Sequence, residues 1–338
     1  MISKKQNIEN FKKLKKQEYN TDYYVSGILS GNKTILSKAI TLIESNLEKH
    51  QNTAQQIIEK CLPYSGNSMR IGITGIPGVG KSTFIETFGN YITQKNRRLC
   101  VLAIDPSSEQ SKGSILGDKT RMETLSTNKN AFIRPSPTSG TLGGVARRTR
   151  EIIILCEAAG FDTILIETVG VGQSETLVNS MVDFFMLLMI AGAGDELQGI
   201  KRGIMEMADN IIFTKADGNN MLKSKLAKTQ FESALHYFPK KESNWTPTVS
   251  LVSALENVGI EEVWQTTENY FNTIKNNNFL KNNRKEQTVK WLHETIMDKL
   301  KADFYKNKFD EIKKLEQKTI NSELTPYIAV KQLFEQKI

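Results

Sequence analysis

Arg70-Ile71-Gly72-Ile73-Thr74 runs straight into Gly75-Ile76-Pro77-Gly78-Val79-Gly80-Lys81-Ser82-Thr83. An apolar, β-branched run enters a glycine-rich loop that ends in Lys-Ser-Thr, which matches G-x-x-x-x-G-K-[ST] at every fixed position. Glycines admit positive φ and let amide N–H groups approach an anion. A helix beginning near Lys81 aims the positive end of its dipole at the same point. Lys81 adds a full charge for β- and γ-phosphates, and the Ser82 hydroxyl is the expected Mg²⁺ ligand. Ile85, Phe88 and Ile92 follow at helical spacing, so the loop has the strand before it and the helix after it that the motif requires.

Working outward, six strand candidates alternate with helical stretches: Arg70–Thr74, Leu99–Ile104, Thr163–Glu167, Phe184–Ala191, Asn210–Thr214 and Thr248–Val252. Most are continuous runs of Ile, Val, Leu and Phe, the pattern of strands covered on both faces. Residues 145–159, 199–208 and 218–236 are long enough for crossover helices. The class is α/β, with a mostly parallel central sheet of the P-loop NTPase kind. In such sheets ligands sit at the carboxyl ends of the strands. Asp105, Glu167, Lys215, Asp217 and Ser253 stand at those ends.

Three parts emerge: 1–65 an N-terminal helical extension, 66–275 the nucleotide domain, and 276–338 a C-terminal helical arm. Residues 23–61 carry Ile35, Leu36, Ala39, Ile40, Ile43 and Leu47 at helical spacings, and Tyr64-Ser65-Gly66-Asn67-Ser68 reads as a turn. Asn276, Asn277, Asn278, Asn282 and Asn283 read as a polar break. Val289, Leu292, Ile296, Leu300 and Phe304 then trace one helical stripe, and Pro326 opens a final helix.

The chain has 338 residues, 39% hydrophobic and 24% charged, with a net charge of +8. Much of the excess lies in Lys4, Lys5, Lys12, Lys13, Lys15 and Lys16. That run lacks the interleaved aromatics of a nucleic-acid stacking platform. Three cysteines and three histidines are scattered without metal-ligand spacing, which suits a reducing compartment and shows no zinc or nickel constellation. Neither a signal-peptide core nor a bilayer-length apolar run is visible, so the chain reads as cytoplasmic, with no membrane and no nucleic-acid partner.

Thr214-Lys215-Ala216-Asp217 resembles the guanine-specificity motif N-K-x-D, in which the aspartate accepts from guanine N–H groups and the lysine stem lies across the base. Adenine offers that carboxylate the wrong donors, so Asp217 favours GTP over ATP. Thr214 replaces the usual asparagine and puts guanine affinity in question. Ser253-Ala254-Leu255 is similar to the second base-contacting loop of GTPases. Asp105, Asp118 and Glu167 are Mg²⁺-ligand or outer-sphere candidates, with a helix cap or surface charge as the alternative. Gln173 either orients the attacking water or is a polar loop residue.

Together these stretches resemble the methylmalonyl-CoA mutase-associated GTPase family of the ArgK/MeaB type. The resemblance rests on Leu36–Ser45, Gly75–Thr83, Ala103–Ser108, Gly113–Met122, Arg134-Pro135-Ser136-Pro137 with Gly140 and Leu142–Val145, Glu167–Glu175 and Gly194–Lys201. It implies a GTPase that binds methylmalonyl-CoA mutase or a related adenosylcobalamin-dependent acyl-CoA mutase, gates cofactor loading and protects the mutase. It also implies a C-terminal dimerisation arm, hence a homodimer. Asp105, Asp118 and Glu167 then belong to the metal and switch region. Asp195 and Lys201 fall in a loop that couples mutase contact to hydrolysis. The rival readings are an arginine/ornithine kinase or transport-linked ATPase, a GTP-dependent metal-insertion protein, and a non-enzymatic scaffold.

Overall fold

The computed structural model describes residues 19–105, 122–137, 142–168, 174–192 and 202–335. The chain divides at Arg284 into two compact units, Met1–Arg284 and Lys285–Ile338.

The first unit opens with α1 (Thr21–Leu29), α2 (Lys33–Glu44) and α3 (Glu48–Cys61). Asn20 and Asn32 cap the first two through side-chain oxygens that accept from backbone N–H groups. Leu36, Ala39, Ile40 and Ile43 of the expected stripe are buried, while Leu47 is exposed.

The sheet comprises β1 (Met69–Gly75), β2 (Leu99–Asp105), β3 (Ala131–Pro137), β4 (Thr163–Thr168), β5 (Phe184–Ile190), β6 (Asn210–Thr214) and β7 (Thr248–Leu251). Its order is β3-β2-β4-β1-β5-β6-β7, and every pairing is parallel. Buried on both faces, β4, β5 and β6 account for the continuous apolar runs. The helices between strands are α4 (Lys81–Gln94), α5 (Glu123–Thr127), α6 (Leu142–Ala158), α7 (Ser174–Asn179), α8 (Arg202–Met207) and α9 (Met221–Leu235), and α10 (Ile260–Asn276) follows the last strand. Phe84 and Phe88 of α4 stack, and Phe88 meets Trp264 of α10, which packs the helix after the glycine loop against α10.

One strand escapes the sequence reading. β3 holds Pro135 and Pro137, which argue against a strand in a sheet interior. It is an edge strand paired with β2 alone. The Ala131 N–H donates to Asn128 and its carbonyl accepts from Lys33 Nζ at 2.6 Å, so this residue turns its polar backbone away from β2. Backbone direction alternates along a strand, so Pro135 and Pro137 face the same outer edge, where a missing N–H breaks no ladder bond. Arg134 ties this edge to Glu44 of α2.

Aspartates repeat at the amino ends of the strands. Asp162, Asp183 and Asp209 each precede a strand and accept a backbone N–H beside the neighbouring one: Arg98 at 3.1 Å, Arg70 at 3.1 Å and Phe185 at 2.9 Å. Arg284 closes on Asp183 through Nε at 2.9 Å and Nη2 at 2.6 Å. Arg70 and Glu157 form a bidentate pair beside it.

The expected polar break is shorter than the asparagine run suggests. Helix α11 (Phe279–Asn307) begins at Phe279 and includes Asn282 and Asn283. The Asn277 side chain accepts from the Phe279 N–H at 3.0 Å, so one asparagine starts the helix and the later ones ride on it. In the second unit α12 (Phe309–Ile320) and α13 (Pro326–Glu335) follow, and Val289, Leu292, Ile296 and Leu300 are exposed.

Candidate nucleotide site

The glycine loop joins the carboxyl end of β1, the central strand, to the first turn of α4. Gly75 is required at the turn: its φ is +159°, and a Cβ there would lie 2.6 Å from the Leu188 carbonyl oxygen of β5. Gly80, at φ +96°, is the left-handed residue from which α4 starts.

Lys81 folds back over this loop and donates to the carbonyls of Gly75 at 2.8 Å and Ile76 at 3.3 Å. Burial lowers its pKa, and the negative charge of Glu167 partly offsets that. A desolvated ammonium that donates only to neutral carbonyls gains most from an anion brought beside it. Glu167 is buried at the end of β4, opposite Ile73 of β1. The Thr168 hydroxyl next to it donates to Thr74 Oγ1 at 2.8 Å and joins the ends of the same two strands. Ser82 is the second residue of α4. Hydroxyl and carboxylate oxygens here are the donors a hard divalent cation takes, so this set fits Mg²⁺.

The base-side residues converge on the same loop from β6 and the segment after β7. The Thr214 hydroxyl lies 2.6 Å from the Val79 carbonyl oxygen and 3.1 Å from that of Met189. Lys215 takes a left-handed backbone, φ 54°, and its Nζ donates to the Gly78 carbonyl at 2.9 Å. Its stem thus crosses the loop, and a Cβ on Gly80 would lie 3.8 Å from its Cε. Ser253 donates to Asp217 Oδ2 at 2.5 Å, which fixes one carboxylate oxygen. Ser253 is buried, its N–H and carbonyl pair with Val258, and Leu255 is 84% exposed.

Two residues absent from the sequence reading brace this arrangement. The Thr87 hydroxyl of α4 contacts the Ala254 carbonyl at 3.1 Å, and the Asn220 amide donates to the Lys215 carbonyl at 3.0 Å. A third, Glu86 of α4, accepts from the N–H groups of Thr124 at 2.8 Å and Leu125 at 3.2 Å, which caps α5. Only Asn220, at the N-cap of α9, carries a local sequence signal; Thr87 and Glu86 lie inside α4 and none of the three matches a catalytic pattern. Lys81, Glu167, Ser82, Lys215, Asp217, Ser253 and Ala254 are therefore gathered at one end of the sheet, and Asp105 closes β2 at the same end. Asp118, Gln173, Asp195 and Lys201 lie outside the described residues.

The family model described as methylmalonyl Co-A mutase-associated GTPase MeaB matches residues 36–309. The chain belongs to this family. It is 45% identical over 318 residues to a probable GTPase of Mycobacterium tuberculosis, covering 93% of this chain and 94% of that one. The GTPase ArgK of Escherichia coli is 44% identical over 307 residues, covering 90% and 93%. Among solved structures, one titled as an LAO/AO transport system kinase aligns with a TM-score of 0.74 at 36% identity, covering 93% of this chain and 96% of that one. The chain is accordingly a P-loop GTPase that binds guanine nucleotide. Among the described residues no helix is long and apolar enough to cross a membrane.

Proposed function

We propose that this GTPase is the chaperone of an adenosylcobalamin-dependent acyl-CoA mutase, with methylmalonyl-CoA mutase as the first client. It gates cofactor loading and protects the mutase, and GTP hydrolysis resets it. The observation that carries this reading is the family match over residues 36–309, the span that contains the whole nucleotide site.

The residues divide the work as follows. The glycine-loop amides and the α4 dipole receive the phosphates, and Lys81 exchanges its carbonyl partners for β- and γ-phosphate oxygens. Ser82 and the carboxylates of Asp105, Asp118 and Glu167 hold Mg²⁺ directly or through water. When bound, the ion neutralises charge on the transferred phosphoryl group. Lys215 and Asp217 hold guanine, with Ser253, Ala254 and Leu255 closing over the base. Gln173 positions the attacking water, and Lys201 couples mutase contact to hydrolysis. Phosphoryl transfer depends on positioning and charge, which this set supplies without a covalent intermediate.

The second unit supports self-association. Its exposed Val289, Leu292, Ile296 and Leu300 form an apolar stripe on α11 that a second copy would cover. Light scattering of a Leu292→Glu/Ile296→Glu variant is expected to give half the mass of the unmodified protein.

The deciding measurement is GTP turnover by the full-length chain, alone and with its organism's methylmalonyl-CoA mutase. Acceleration by the mutase is the expected result. Turnover that ignores it would overturn the chaperone reading and leave the GTPase intact. Competition by ATP, with phosphate transferred to arginine or ornithine, would favour the kinase instead.

A further inference from the structure

Thr214 stands where guanine-specific sites usually carry an asparagine, and its surroundings limit what it can do for a base. The residue is 3% exposed. The hydroxyl oxygen sits between two backbone carbonyl oxygens, Val79 at 2.6 Å and Met189 at 3.1 Å. Carbonyl oxygens only accept, and a threonine hydroxyl has one proton. That proton goes to one carbonyl or the other, most favourably to Val79, so none remains for a third group. A carboxamide at the same place would carry two N–H donors besides its acceptor oxygen. It could brace the loop and still donate elsewhere.

Guanine presents two kinds of edge. N1–H and the N2 amino group are donors, while N7 and O6 are acceptors. A carboxylate reads the donor edge, and reading N7 requires a protein N–H or O–H. Asp217 has one carboxylate oxygen held by Ser253 at 2.5 Å and can read the donor edge. Thr214 has only lone pairs left to offer the acceptor edge.

We infer that Thr214 is a positioning residue that locks β6 to the phosphate loop and gives no hydrogen bond to guanine N7, while Asp217 reads the donor edge. The inference rests on the reading that residues 214–217 face the base. It makes this site blind to a change that an asparagine-type site would register: replacement of N7 by a C–H.

The test compares binding of three nucleotides to the full-length protein by calorimetry. They are GTP, 7-deaza-GTP (which lacks only the N7 acceptor) and inosine triphosphate (which lacks only the N2 donor). The expected pattern is 7-deaza-GTP within about twofold of GTP and inosine triphosphate at least about tenfold weaker, the loss of one hydrogen bond to a charged partner. If both analogues bind at least tenfold more weakly than GTP, the Thr214 inference is overturned and the base assignment stands. If inosine triphosphate binds as tightly as GTP, the assignment of Asp217 to the base falls, and the inference falls with it. Thr214→Val should weaken GTP and 7-deaza-GTP by the same factor, with Thr214→Ser restoring both. Thr214→Asn should introduce a preference for GTP over 7-deaza-GTP. A purely structural effect would leave that ratio unmoved. The comparison on the unmodified protein decides the matter even if a variant fails to fold.

Discussion

At the carboxyl ends of β1 and β6, Lys81 and Lys215 donate to the loop's own carbonyls, Gly75, Ile76 and Gly78. At the amino ends of the same sheet, Arg70 and Arg284 are locked to the carboxylates of Glu157 and Asp183, and Lys241 to Asp209 at 2.6 Å. The two ends carry similar charges in different bookkeeping. Below, each cation meets an anion of the same chain, and buried carboxylates also accept backbone N–H groups. Above, the cations donate to neutral carbonyls, with the Glu167 charge near Lys81, and those bonds are easily exchanged for a stronger anion. The difference separates charge that maintains the fold from charge held ready for a ligand.

Substitution at the lower end should produce the largest effect. Arg284→Met leaves the Asp183 carboxylate buried with one backbone donor and removes bonds to the Gly66 and Ser68 carbonyls. Urea denaturation should show a loss of about 4 kcal/mol, the usual cost of orphaning one partner of a buried pair. Turnover per folded molecule should be unchanged. A stability loss under 1 kcal/mol would break the comparison from below.

Lys81→Ala inverts the outcome. Turnover should fall by about a hundredfold or more, as when one donor to a developing charge is removed. The thermal midpoint should hold or rise slightly, because a desolvated charge is removed from a functional loop. A large drop in the midpoint would show that Lys81 belongs to the fold as much as Arg284 does.

Glu157→Gln sharpens the picture through pH. Burial alone would raise the Glu157 pKa, but Arg70, Ser68 and the Gly66 N–H together bring it below the ordinary carboxylate value. A depressed folded pKa stabilises above the unfolded pKa and loses that contribution as pH falls through the folded one. The variant should therefore be less stable than the unmodified protein by about 2 kcal/mol at pH 7. The gap should narrow once the pH drops below about 4.5, the ordinary glutamate range. A gap that is constant with pH would assign the loss to packing instead.

Thr87→Val is the smallest perturbation. The Thr87 hydroxyl shares one proton between the Thr83 and Ala254 carbonyls, each at 3.1 Å, so the substitution removes at most one hydrogen bond between α4 and the Ala254 loop. GTP affinity should weaken by about fivefold or less, the worth of a single neutral hydrogen bond, with the hydrolysis rate at saturation preserved. A loss of turnover at saturating GTP would show that this brace reaches the phosphate end as well as the base.

Much of this was visible in the residue order. The glycine loop, its flanking strand and its helix are local features read between Arg70 and Ile92, and all appear where the pattern puts them. Buried strands such as Phe184–Ile190 announce themselves because a parallel strand covered on both faces is apolar at every position. β3 was hidden for the converse reason. An edge strand can carry proline and polar groups, and Ala131–Pro137 is known as a strand only once β2 lies beside it. The asparagines near residue 280 misled because a propensity for turns is weak against a helix that is already capped.

The sequence by itself determined the phosphate loop, the α/β class and the family, because these rest on short-range spacing, period and residue type. Only the tertiary structure decided which partner each polar group meets. Thr214 reaches Val79 across 135 positions, Arg284 reaches Asp183 across 101, and Thr87 reaches Ala254 across 167. A hydrogen bond depends on distances of a few tenths of an ångström, which are set by how strands order and helices pack. The residue type states what a side chain can donate or accept; the folded chain determines which of those capacities is already in use.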